Sequence, residues 1–240
     1  MNRGKQKPVH LIAGGRGSRG KGGDPLMAAA LRLAGVERPS VAYIGTASGD
    51  NTAFRAMIGG FMKTAGAGPV RLAPLAGRRA DPDAARKVLE SADIVFVSGG
   101  DVEEGMRGLA DVGMADFLRN LYADGVPFFG VSAGSIMMAR SWVRWADPKD
   151  DASAEIFPCL ALAPVLCDTH GEAEGWVELQ ALLSLSPEGT IGYGIRSGAA
   201  LICPVDGSLQ KNGLTASGGI VDRYEKRNGA VVELDGLAPG

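Results

Sequence analysis

The sequence is poor in the residues that most often announce a function. It holds two histidines, His10 and His170, and three cysteines, Cys159, Cys167 and Cys203. Cysteines this few, odd in number and set among apolar neighbours read as reduced, buried thiols. That excludes a disulfide-stapled scaffold, and their spacing matches no metal site. No apolar run approaches the roughly 20 residues of a membrane-crossing helix. The stretch MNRGKQKPVHLIAGG has neither the long apolar core nor the small-residue cleavage site of a secretory leader, so a cytoplasmic protein without a membrane partner is expected. Charge of one sign is lacking too. With 25 basic against 27 acidic residues the formal net charge is −2, whereas a general nucleic-acid binder needs clustered basic charge to displace phosphate counterions.

What is present is an ordinary globular composition, 45% hydrophobic and 22% charged over 240 residues. No linker or repeat divides the chain, so one domain over 1–240 is expected. Apolar runs alternate with amphipathic stretches. VHLIAG, SVAYIGTAS, VRLAPL, DIVFVSGG and PFFGVS read as strands. Between and after them DPLMAAALRLAG, NTAFRAMIGGFMKTAG, DPDAARKVLESA (capped by Asp81), VEEGMRGLADVGMADFLRNLYADG (with a break near Gly113) and AGSIMMAR read as helices. Five such units with continuous apolar strands predict an α/β fold in three layers: a mostly parallel sheet with helices on both faces. After Arg140 the pattern changes to SWVRWA, ALAPVLCDTH, TIGYGIR, AALICPV and a Gly-punctuated tail around one helix, EGWVELQALLSL. That end is expected to extend the sheet with antiparallel strands.

The stretch GVSAGSIMMA, Gly130 to Ala139, lies where an apolar strand becomes a helix. Gly130-Val131-Ser132-Ala133-Gly134 fits the G-x-S-x-G nucleophile elbow, whose small neighbours permit a sharp turn that lifts one side chain above the sheet. Ser132 is that side chain. The helix N-terminus stabilises developing negative charge, and the Ala133 N–H points at the oxyanion of an attacked carbonyl. A plainer reading makes Ser132 a helix cap. A nucleophilic serine needs a base. His10 sits among Val9, Leu11 and Ile12 inside a strand, as a structural histidine does; His170 ends the run APVLCDTH, on the edge where open α/β sheets place their sites. A second glycine signal, SGGD at Ser98 to Asp101, ends the preceding strand and can supply the other half of an oxyanion hole.

FVSGGD, FFGVSAGSIMMA, CDTH and GYGIRSGAALI, in that order, resemble the dipeptidase E and cyanophycinase family of serine peptidases, which has the fold of class I glutamine amidotransferases. The likeness runs from VHLIAGG to about Cys203. It implies Ser132 as nucleophile, His170 as base, and Gly100 and Ala133 as the oxyanion hole, with Asp101 and Asp168 beside the substrate. It further implies a small peptide or isopeptide substrate, no cofactor and no metal, and a homodimer. Asp147 stands at the position of the dipeptidase-like aspartate. The G-I-D-E segment of cyanophycinases is GIRS here, with Arg196 and Ser197 in place of the acidic pair, and the arginine-rich stretch after the histidine is GEAEGWVEL. The acid that orients His170 is thus open among Asp147, Asp168, Glu172 and Glu174. Arg140, Arg144 and Arg196 are candidates to hold a substrate carboxylate.

Three other functions fit parts of the sequence. Gly15-Arg16-Gly17-Ser18-Arg19-Gly20 satisfies the G-x-G-x-x-G of NAD(P)-binding proteins, but no acidic residue ends VAYIG to hold a ribose. An α/β-hydrolase esterase shares the elbow, yet H-G-G-G is absent and a long tail follows His170. A non-catalytic binding protein of the same fold is the third, given GIRS.

Overall fold

Successive residues of the central strands face opposite sides of a sheet, and on both sides they are apolar. The computed structural model describes residues 5–15, 23–147, 149–205 and 214–240; residues 16–20 of the glycine-rich motif lie outside them. The first half of the chain runs β1 (Val9–Ile12), α1 (Pro25–Leu31), β2 (Val41–Ile44), α2 (Thr52–Thr64), β3 (Val70–Ala73), α3 (Pro82–Ser91), β4 (Ile94–Val97), α4 (Val102–Asp111), α5 (Ala115–Ala123), β5 (Phe128–Val131) and α6 (Ala133–Met138). In β4, Val95 and Val97 join a core with Leu89 of α3, Met106 of α4 and Leu118 of α5. Ile94 and Phe96 join another with Leu26 and Ala30 of α1 and Met62 of α2. Two apolar faces require two helical layers, as the sequence predicts.

The helices begin where side chains satisfy their free N–H groups. Asp24, Asn51, Asp81 and Asp101 accept from Leu26, Phe54, Ala84 and Glu104 at 2.8, 2.9, 2.9 and 2.8 Å. Gly113, at a φ of 64°, separates α4 from α5.

The second half contains β6 (Ser141–Trp145), β7 (Ala154–Pro158), β8 (Leu166–Thr169), α7 (Val177–Ser184), β9 (Ile191–Ile195), β10 (Ala200–Cys203), β11 (Thr215–Ser217), β12 (Val221–Arg227) and β13 (Ala230–Leu237). Among the described residues the main sheet has seven strands in the order β11-β10-β1-β5-β4-β2-β3, parallel from β1 to β3 with β10 and β11 antiparallel. Only β10 and β11 extend it as expected. The other tail strands form a second sheet, β13-β12-β9-β8, in which β8 and β9 are parallel, and β6 pairs with β7 in a separate hairpin. Alternating hydrophobicity fixes which face of a strand is buried but not which sheet it joins. Among the described residues, no helix is long and apolar enough to cross a membrane.

Candidate active site

The elbow arises from local sequence. β5 runs between β1 and β4, and the Ser132 N–H continues the β1 ladder by donating to the Ile12 carbonyl at 2.9 Å. The chain then reverses into α6 at Ser132 with φ 56° and ψ −129°. That is strained for a residue with a Cβ, and such strain clusters at functional sites. The Ser132 side chain makes no capping hydrogen bond to α6, so the cap reading does not describe it. Gly99 leaves room above it: a Cβ at Gly99 would lie 3.1 Å from Ser132 Cβ and 3.6 Å from Oγ. Gly100 has a φ of 145°, and a side chain there would collide with the Ala47 carbonyl. The SGGD turn therefore packs tightly on the elbow at Gly99 and requires glycine at Gly100. Ala133, the first residue of α6, has an N–H without an intrahelical acceptor.

His170 comes from the second sheet, at the end of β8 with a φ of 66°. α6 packs against both β5 and β8, so the helix that starts at Ser132 and the strand that ends at His170 share an interface. The turn after β1 joins the two ends. A Cβ at Gly14 would press on Val131 Cγ1 at 2.9 Å, one at Gly15 would lie 3.1 Å from Ser197 Cβ, and Gly198 N–H donates to the Gly14 carbonyl at 2.6 Å. Ser197 in turn pairs with His170, Oγ to Nδ1 at 3.0 Å.

The acids fall out differently from the resemblance. The structure does not bring Asp147 onto His170: it lies in the exposed turn after β6, where Oδ1 accepts the Lys149 N–H at 3.0 Å and its own N–H donates to Ser153 Oγ at 3.0 Å. Asp101 caps α4. Asp168 is buried, with Oδ1 accepting the neighbouring Thr169 N–H at 2.7 Å. Burial first, then the charge of Glu178, pushes its carboxyl up to about 7. Glu172, by contrast, accepts the Ser197 N–H at 3.0 Å.

Of the arginines, Arg196 holds both oxygens of Asp222 at 2.8 Å, and Asp222 also accepts the Trp176 indole N–H at 2.9 Å. Arg144 is engaged by Glu103 at 2.9 Å and Glu155 at 2.5 Å, while Arg140 is exposed. A cleft of about 660 Å³ opens beside His170, with Arg144 and the acids Glu103, Asp151, Asp168, Glu174 and Glu178 in its walls. Ser197 and its link to His170 were beyond the sequence argument, because a serine in place of an acid carries no catalytic signal. Among the described residues, no cluster of His, Cys, Asp and Glu could hold a metal ion.

Two solved structures share this architecture. One is a peptidase from an acI-B1 Actinobacterium, with a TM-score of 0.70 at 14% identity over 98% of each chain. The other is described as "a Putative Peptidase E Protein" from Listeria monocytogenes EGD-e, with a TM-score of 0.61 at 15% identity over 89% of this chain and 98% of that one. At these identities the likeness is one of fold. No curated protein matches the chain. The family comparison reaches further: Peptidase family S51 matches residues 10–208, a span that includes the SGGD turn, the elbow, His170 and Ser197, and the chain belongs to that family of peptidases.

Proposed function

We propose that the protein is a serine hydrolase that cleaves a peptide or isopeptide bond, with Ser132 as nucleophile and His170 as base. The observation that carries this reading is the strained Ser132 at the N-terminus of α6, with its hydroxyl uncommitted to the helix. A helix cap has neither that backbone nor that freedom. His170 Nδ1 is taken up by Ser197, which leaves Nε2 to receive the serine proton. The alkoxide attacks the substrate carbonyl, the N–H groups of Gly100 and Ala133 receive the oxyanion, and the amine leaves with the proton carried by His170. Water then releases the acyl group by the same route in reverse. Apo geometry between nucleophile and base is often loose and tightens with substrate.

The cleft beside His170 suits a peptide with a cationic group. Its Arg144 is already neutralised by Glu103 and Glu155, so Asp151, Glu174 and Glu178 set the field there.

A fluorophosphonate probe, read by mass spectrometry, tests the reading. Modification is expected at Ser132 alone and is abolished in Ser132→Ala. His170→Ala is expected to slow it by roughly 100-fold or more, and on a cleavable peptide the double variant is little worse than either single one, because the pair acts as a unit. An unlabelled Ser132 in folded protein would favour a non-catalytic binding protein of this fold.

A further inference from the structure

We infer that Ser197 and Glu172 together orient His170, taking the place that a single carboxylate fills in a Ser-His-acid triad; the catalytic meaning of this rests on the hydrolase reading above. His170 Nδ1 lies 3.0 Å from Ser197 Oγ, and the Ser197 N–H donates to Glu172 Oε1 at 3.0 Å. Burial alone would raise the Glu172 carboxyl, but the N–H groups of Glu172 and Ser197, the Ser197 hydroxyl and the nearby His170 outweigh it and hold the group below its ordinary value. Glu172 is therefore a carboxylate at neutral pH and can only accept hydrogen bonds.

The consequence follows from counting protons. The Ser197 hydroxyl has one proton, and the carboxylate beside it is the stronger acceptor. When that proton turns toward Glu172, whose Oε1 already accepts the Ser197 N–H, Ser197 offers a lone pair to the imidazole, which then carries its own proton on Nδ1. Nε2 is left as the base. During attack the Ser132 proton moves to Nε2, the Nδ1 proton stays on nitrogen, and the charge of the imidazolium is felt by Glu172 through the polarised hydroxyl.

The surroundings fix this arrangement in place. Arg196 grips Asp222 with two hydrogen bonds, and Asp222 also holds the Trp176 ring, so Trp176 and Arg196, which follow Glu172 and precede Ser197, are tied to the same residue of β12. On the other side Ser197 packs against Gly15, where a side chain would crowd its Cβ. The other three acids are turned elsewhere: Asp147 to Lys149, Asp168 to Thr169, and Glu174 into the cleft wall.

The chain has only two histidines, so nitrogen-15 NMR of histidine-labelled full-length protein, with His170→Gln to assign the signals, reads the tautomer directly. Wild type is expected to show neutral His170 protonated on Nδ1, Ser197→Ala to lose that preference, and Ser197→Thr to keep it. In parallel, fluorophosphonate labelling of Ser132 is expected to slow by roughly 10–100-fold in Ser197→Ala, less than for loss of a direct carboxylate, and to be largely restored in Ser197→Thr. Glu172→Gln should also slow labelling, with no added effect in the Ser197→Ala background. Thermal midpoints separate these effects from lost folding. An unchanged tautomer and rate in Ser197→Ala overturns the inference. A tautomer shift without any labelling of Ser132 supports the orienting role and overturns the hydrolase reading instead.

Discussion

His10 stands in β1 with 7% of its surface exposed, and burial, then the charge of Arg32, lowers its pKa from 6.5 to about 4. An unfolded chain takes up that proton near 6.5 while the native chain resists until about 4, so the unfolded state binds more protons in between. Stability therefore falls as pH drops through this window, by about 3 kcal/mol in all. Asp168 acts in the opposite sense. Its native carboxyl keeps its proton to about 7, against 3.8 unfolded, so it costs stability as pH rises through that range. Thermal midpoints across pH check both: His10→Gln should flatten the acid limb, and Asp168→Asn should raise the midpoint at mildly alkaline pH but not in acid. A steep acid limb surviving in His10→Gln would refute the first assignment. The structural character of His10 was legible because apolar residues flank it on both sides. The strand-to-helix turn at Ser132 and the strand end before His170 were legible because glycines and an apolar run mark them. Ser197 was not, because its bond to His170 spans 27 residues of sequence, which no local pattern encodes.

At the scale of elements, α4 begins at a residue with two readings. Asp101 belongs to the SGGD motif that the resemblance places beside the substrate, and its Oδ1 caps α4 through Glu104. Asparagine caps as well as aspartate but carries no charge. If the cap is its whole role, Asp101→Asn should keep both stability and the labelling rate of Ser132, while Asp101→Ala should lower stability by about 1 kcal/mol in denaturant unfolding. Slow labelling in a fully stable Asp101→Asn would return it to the substrate. The parallel strands β1 to β5 were legible because burial on both faces writes a continuous apolar run. β7 was not, since Ile156 is exposed and its burial never becomes a pattern. The second sheet was hidden for a different reason. β8 is as buried as the core strands and β9 nearly so, although β8 carries Asp168 and Thr169, and only tertiary contacts assign them to a sheet of their own.

For the molecule as a whole, the two sheets each bring one half of the proposed chemistry, Ser132 from the main sheet and His170 from the second, and the cleft lies beside the second. Its acidic walls predict selection by charge. Peptides bearing lysine or arginine should be cleaved with a higher kcat/KM than acidic ones of equal length, and added salt should narrow the gap because the attraction acts largely through solvent. A preference for acidic peptides would contradict this reading. One wall of that cleft is the β6–β7 hairpin, which contributes Trp142, Arg144 and Trp145 yet, among the described residues, pairs as strands with itself alone. Change there, including a longer or shorter turn between its strands, alters what the cleft admits without shifting the register of the sheet that carries Ser132. Descendants of such a chain can vary the wall of the cleft while inheriting the proposed nucleophile in its place.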